Sequence, residues 1–315
     1  MADNTIYVPI INPMKFVNIA RANLQQYYTK QFDLYLYAEQ IYNFQENVSY
    51  FQKIFKGDQI SLQFSSNLSP VQVDVVNSDG NVVLPFTALQ VRRNTYDPDY
   101  YIYEVDINTS PLTEGCYSLQ VTVGDAYPII LVSEIFVITT DITNTLLFEY
   151  SNTTYHEDVL FETGIKFSMR VPGIISGYTP GAKDVVYEDQ VLNETLLSSR
   201  TFRNFKLFIG GAEGVPDWMI DKLNRVMGCD TVTIDGKFFT KAEGAKWEQK
   251  SEDTYPMNGW TLDLRETINR NSVIYQSGQI DSNKKLLVVH NIESKGFGDV
   301  SDNGSSNVVP IVELE

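Results

Sequence analysis

GCYSLQVTVG, residues 115–124, decides the fold. Tyr117, Leu119, Val121 and Val123 fall on one face of an extended chain, with polar residues between them, which is the period of a strand half buried against a core. Working outward, the same period returns in DQISLQFS (Ile60, Leu62, Phe64), in PVQVDVV (Val71, Val73, Val75) and in YIYEVDI. It returns again in QFDLYLYAEQ, where Phe32, Leu34 and Leu36 share one face and Asp33, Tyr35 and Tyr37 the other. Turn clusters separate these runs: SSNLSP, NSDGN, YDPD and LTEG. Asp79-Gly80 is expected to close a hairpin with positive φ at both positions. Short alternating strands without helical spacing between them predict an antiparallel sandwich over 31–140, ending in YPIILVSEIFVI.

The segments KGDQISLQF, VQVDVVNSDG and EGCYSLQVTVG, with Gly115, Tyr117, Leu119 and Val121 in a Gly-x-Tyr-x-Leu-x-Val pattern, resemble immunoglobulin-like modules of bacterial and phage surface proteins. The inter-sheet cysteine pair of antibody domains is absent, so the resemblance extends to the sandwich class.

A second block, 141–294, reads as mostly β with one short helix at 216–227. Its strands are expected at LLFEYS, VLFETGIKFSMRVPG, DVVYEDQVLNETLL, TVTIDGKFFT, GWTLDLRE, NSVIYQSG and KKLLVVHNI. Asp235-Gly236 makes TVTI-DG-KFFT the clearest hairpin signal. Residues 1–30 form an N-terminal arm, since Pro9 and Pro13 favour an extended start. Residues 295–315 form a Gly/Ser/Asn/Asp-rich flexible arm with an apolar end. The fold class expected is therefore mainly β in two modules, an immunoglobulin-like antiparallel sandwich followed by a second mostly β domain.

Composition narrows the function. The formal charge is −16, and only two His and two Cys occur in 315 residues. The acidity is spread along the chain, with 7 basic against 16 acidic residues in 1–150. Nucleic-acid binding needs a basic stripe, and Arg200, Arg203 and Lys206 are too few to make one. The N-terminus lacks the basic and apolar regions of a signal peptide, and no apolar run approaches the length of a membrane span. Cys116 and Cys229 read as reduced, buried thiols of a protein made in a cytoplasm.

The strand-loop-helix stretch FKLFIGGAEGVPDWMIDKLNRVMGCD raises the question of a phosphate-binding loop. Its glycines, Gly210, Gly211 and Gly214, match neither phosphate-loop spacing, and no Lys or Ser/Thr closes the loop. Pro216 near the first helical position, Asp217 in the first turn and Gly228 at the end mark a helix. Met219, Leu223, Val226 and Met227 share one face. The stretch reads as a structural corner.

Other constellations are weak. His156 in TYHEDVLF has acidic neighbours but no positioned partner, and His290 in LLVVHNI reads as a strand residue near a core. Asp97 and Asp99, like Asp299 and Asp302, are turn formers rather than a calcium loop. No catalytic residue, metal site or cofactor is expected. Trp218, Trp247 and Trp260 leave room for sugar stacking, although their positions suit a core.

Three features point toward assembly. The arm carries Ile6, Val8, Ile10 and Ile11 without an obvious local core. Tyr35 and Tyr37 project from the outer face of a strand, and Val308, Val309, Ile311 and Val312 form a β-prone end suited to adding a strand to a neighbour. The alternative is that both arms fold back on their own chain.

GVPDWMIDKLNRVMGCDTVTIDGKFFTKAEGAKWE and GWTLDLRE resemble a domain of proteins from crAss-like podoviruses that infect Bacteroides. The whole chain, acidic and rich in Tyr, Asn and Ile, resembles tail and neck proteins of these phages. That resemblance implies a ring-forming or adaptor protein of the virion tail, assembled in the host cytoplasm. Its partners would be itself, in a homo-oligomeric ring, and other tail and portal proteins. A glycan- or receptor-binding module of fibre type is the second reading and a carboxylate glycosidase the third.

Overall fold

The computed structural model describes residues 5–19, 51–124, 128–188, 190, 192, 194–211, 214–250 and 257–266. Tyr35, Tyr37, His290, the expected strands NSVIYQSG and KKLLVVHNI, and the C-terminal arm with Val308, Val309, Ile311 and Val312 lie outside these residues. The described residues belong to one compact unit. They are mainly β, in several antiparallel sheets with one short helix.

The first half contains β1 (Ile6–Tyr7), β2 (Phe16–Asn18), β3 (Gln52–Phe55), β4 (Gln59–Ser66), β5 (Val71–Asn77) and β6 (Val82–Thr87). It continues with β7 (Leu89–Arg93), β8 (Tyr101–Asn108), β9 (Gly115–Val123), β10 (Ile129–Ser133) and β11 (Phe136–Thr139). One sheet has the order β1-β4-β8-β7. In the other, β9 pairs with β5, β10 and β11, while β6, β2 and β3 lie beyond those three. The register explains the alternation in sequence. Ile60, Leu62 and Phe64 stand opposite Ile107, Val105 and Tyr103. Val71, Val73 and Val75 stand opposite Val123, Val121 and Leu119. All twelve lie in one core shared by the two sheets.

Two local details differ from expectation. YPIILVSEIFVI is two strands, β10 and β11, because the chain breaks at Ser133, whose hydroxyl accepts the Leu119 N–H and donates to the Glu134 carbonyl. At the β5–β6 hairpin only Gly80 has positive φ, and Asp79 does not. The Asn77 side chain accepts the Asp79 and Asn81 N–H groups and holds the turn in a longer form than a two-residue loop.

The second half contains β12 (Thr145–Ser151), β13 (Tyr155–His156), β14 (Val159–Leu160), β15 (Phe167–Glu188) and β16 (Glu194–Ile209). Helix α1 (Asp217–Val226) follows, then β17 (Thr231–Ile234), β18 (Lys237–Lys241), β19 (Glu248–Lys250) and β20 (Gly259–Glu266). Strand pairing runs β16-β15-β12-β17-β18-β20, and β20 pairs back onto β16. The ring is closed, so this half is a small antiparallel barrel, a closure that strand patterns alone do not reveal. Side chains fill it, with Phe148, Phe167, Met169, Leu207 and Leu264 fully buried. Met219, Leu223 and Val226 of α1 join the same core. Asp235 and Gly236, with φ of 49° and 74°, make the expected β17–β18 turn.

The glycine corner has a steric cause. Val215 and Asn258 exchange backbone hydrogen bonds of 2.9 and 3.0 Å, which brings two backbones together beside the corner. A Cβ on Gly214, whose φ is +77°, would sit 2.6 Å from the Met257 carbonyl carbon. Glycine is needed there for both reasons.

DVVYEDQVLNETLL is not one strand but the end of a hairpin. β15 and β16 are 22 and 16 residues long and leave the barrel together. From Pro180 to Glu188, β15 pairs only with β16 among the described residues. Nine strand residues correspond to a projection of about 30 Å.

Candidate functional site

The two halves meet along a seam built from residues 9–14. The Asn12 side chain donates to the Gln63 carbonyl at 2.8 Å and accepts the Gln63 N–H at 3.2 Å, continuing the edge of β4 where β1 stops. The Gln63 side chain repeats the device on the barrel half, accepting the Leu160 N–H at 2.8 Å and donating to the Leu160 carbonyl at 3.1 Å. Two side-chain amides thus replace two ladder rungs. The Tyr150 hydroxyl donates to the Ile11 carbonyl. Arg170 of β15 forks onto Asp58 with bonds of 2.9 and 3.2 Å, a planar bidentate pair largely withdrawn from water.

A buried lysine completes the seam. Lys222 of α1 is 2% exposed and donates to the Asn12 and Pro13 carbonyls at 2.6 and 3.2 Å. Its ammonium also lies 5.4 Å from the Trp218 ring centre, and Lys15 lies 5.0 Å from the same ring. Lys15 is 3.8 Å from Glu134. Burial pushes Lys222 down to about 7, opposed by the attraction of Glu134. Burial likewise pushes Glu134 up to about 7, opposed by Lys15 and Lys222. An amine near neutrality is a familiar nucleophile, but this one is enclosed and its protons are committed to two carbonyls, so its geometry is that of a clasp.

Between the halves lies a cleft of about 570 Å³. Glu104 and Asp106 line its first-half wall, and Glu149, Thr231, Thr233 and Phe238 its barrel wall. The carboxylates already accept hydroxyl or amide protons. Glu104 is bonded by Gln63 and Thr163, Asp106 by Ser61 and Glu149 by Thr233. The cleft can offer acceptors and hydroxyls to a polar ligand. Among the described residues no cluster of His, Cys, Asp and Glu is arranged to hold a metal.

The surface contrasts with the seam at two places. At the hairpin end Val185, Val186, Tyr187, Leu192, Leu196 and Leu197 are all exposed, Leu192 to 77% and Leu197 to 62%. On the first half the consecutive strands β6 and β7 each pair with one neighbour only, β5 and β8, among the described residues. They expose Val82, Val83, Leu89 (70%) and Val91.

The residues singled out from sequence are distributed as follows. Ile6 and Val8 pack partly buried on the core of the first half, and Ile11 is fully buried in the barrel core. Ile10 is 46% exposed. The partners of residues 5–19 among the described residues belong to their own chain, through β1 on β4 and β2 on β10. Trp218, Trp247 and Trp260 are half-buried and pack against the barrel core. His156 Nε2 lies 3.4 Å from the Arg225 carbonyl, beside a 2.5 Å Arg225–Glu157 pair. Asp97 accepts the Asp99 N–H within a turn. Cys116 and Cys229 are free, and burial pushes the Cys229 thiol up to about 12. No helix among the described residues is long and apolar enough to cross a membrane. The hairpin tip and the Lys222 clasp escaped the sequence reading. The tip had a signal in EDQVLNE, a polar turn between VVY and TLL.

Compared with protein-family models, curated proteins and solved structures, the chain matches none.

Proposed function

We propose that this chain is a structural protein of a tailed-phage virion, of the crAss-like kind, forming or joining a ring in the tail or neck by self-association. The first half is read as an immunoglobulin-like sandwich and the barrel half as the platform for the hairpin. The role is architectural rather than catalytic, and the partners are other copies and neighbouring tail and portal proteins. Assembly takes place in the host cytoplasm.

The observation that carries this reading is the hairpin tip. A two-stranded ribbon is marginal in water unless something covers it, and an apolar end on a projecting hairpin suits insertion into another subunit. The seam supports the same role, because a polar, hydrogen-bonded junction fixes the stalk relative to the sandwich. Sedimentation of the full chain at rising concentration tests it. A discrete species of several copies is expected, and a monomer throughout would overturn self-association.

The cleft favours a second reading, a glycan- or receptor-binding module of fibre type. Its acceptor groups and the half-exposed Phe238 suit a sugar. Screening against surface glycans, with Glu149→Gln as the control, separates the two readings.

A further inference from the structure

The hairpin tip and the β6–β7 edge are complementary, and we propose that they are the two halves of one head-to-tail contact between copies of this chain. The inference rests on the self-association just proposed and names the surfaces that make it.

Residues 184–199 contain Asp184, Glu188, Asp189 and Glu194 and no Lys or Arg. Residues 82–93 contain Arg92 and Arg93 and no Asp or Glu. In a chain of charge −16, a basic apolar edge is an exception. Arg92 keeps a 3.3 Å pair with Glu162, but both side chains remain well exposed. Lys183 and Arg200 form the rung just below the tip, and Asp97 and Asp99 follow β7. The tip is therefore acidic and apolar beyond that rung, and the strands β6 and β7 themselves carry only positive charge. Opposite potentials around apolar anchors steer docking and disfavour docking of like on like.

The backbone adds a second match. β6 and β7 are edge strands of the two different sheets, and the outer N–H and C=O groups of each have no ladder partner among the described residues. From Asp184 to Glu188 and from Glu194 to Ser199, β15 and β16 pair only with each other among the described residues. A ribbon laid along such an edge adds strands to a sheet, with main-chain bonds for affinity and alternate side chains for register.

Among the described residues both surfaces are exposed, so neither covers the other. The opposite charges of the two patches make a second copy the occupant proposed. Because tip and edge are different patches, the contact is heterologous. Such contacts propagate from copy to copy and close into a ring if the rotation permits. The acidic tip argues against an anionic lipid surface, the other place where exposed apolar residues settle.

Mixing two variants tests this by sedimentation velocity. The tip variant carries Leu196→Asp and Leu197→Asp, and the edge variant Leu89→Asp and Val91→Asp. Thermal melting first checks that each is folded. Each alone is expected to bind itself at least about tenfold more weakly than the parent chain. Mixed, they are expected to form a dimer that stops there, because one intact tip meets one intact edge. A parent chain that stays monomeric up to high concentration removes the proposed self-association and this contact with it. A parent chain that associates, with variants that associate equally well, overturns this contact and leaves the ring reading standing. Two weakened variants whose mixture forms no dimer also overturn it, since an isologous contact would behave so.

Discussion

At the seam, the buried polar groups of Asn12, Gln63 and Lys222 have protein partners, whereas at the hairpin tip six apolar side chains stand in solvent. The seam places polar chemistry inside and the tip places apolar chemistry outside. Both reverse the usual partition, for different reasons. Polar groups at a junction fix geometry, because a buried donor without its acceptor is costly and only one arrangement satisfies all of them. Apolar groups at a tip add nothing to the isolated chain and gain value only when covered. The contrast separates residues that hold the fold from residues that serve its association.

Substitutions can break or sharpen this division. The largest effect is expected at the glycine corner that precedes α1. Gly214→Ala combines a strained positive φ with a Cβ overlapping the Met257 backbone, and is expected to cost about 4 kcal/mol or more in urea unfolding. Next is Arg170→Ala, which strands Asp58 between the halves and should cost about 3 kcal/mol, with Arg170→Lys restoring only part. Gln63→Ala takes the side-chain acceptor from the buried Leu160 N–H, while the Leu160 carbonyl keeps the Thr163 hydroxyl, and should cost about 2 kcal/mol. If Arg170→Ala or Gln63→Ala left stability unchanged while weakening self-association, the seam would belong to the association side instead.

The Lys222–Glu134 pair gives a test by pH. Glu134 is raised from 4.5 to about 7, so the folded state holds its proton more tightly and stability falls as pH rises through that window. Lys222 is lowered from 10.5 to about 7, so the unfolded state holds the proton more tightly and stability recovers as pH rises from about 7 to 10.5. Relative to a Lys222→Met, Glu134→Gln double variant, which retains Lys15, the parent chain should be least stable near pH 7. A swing on the order of 1 kcal/mol or more is expected on either side. A difference that changes in one direction only across the range would show that one group dominates. The smallest effect on stability belongs to the tip, where Leu196→Ser with Leu197→Ser should change the unfolding free energy by no more than about 0.5 kcal/mol.

The alternation of β4, β5, β8 and β9 was legible in the sequence because each strand has one face on the core, and that face is written at every second residue. The helix and the Asp235-Gly236 turn were legible because their signals are local. Barrel closure was not legible, since the pairing of β16 with β20 joins residues far apart in sequence and leaves no local mark. Strand β4 shows the limit of periodicity. Its polar residues Ser61, Gln63 and Ser65 are buried as well, because the barrel half covers the face that alternation assigns to solvent. Lys222 reads as a solvated helix residue until the 9–14 segment is placed above it. The apolar arm residues raised a demand for partners that the sequence left open, and for Ile6, Val8 and Ile11 the chain itself meets it.

The most direct test of the division between seam and tip is amide hydrogen exchange on the intact chain at low and high concentration. Residues 184–199 and 82–93 should exchange quickly when dilute and gain protection as concentration rises, while the amides of Asn12, Gln63 and Leu160 stay protected at both. Tip amides that exchange equally fast at every concentration, or seam amides as labile as the tip, would contradict the account.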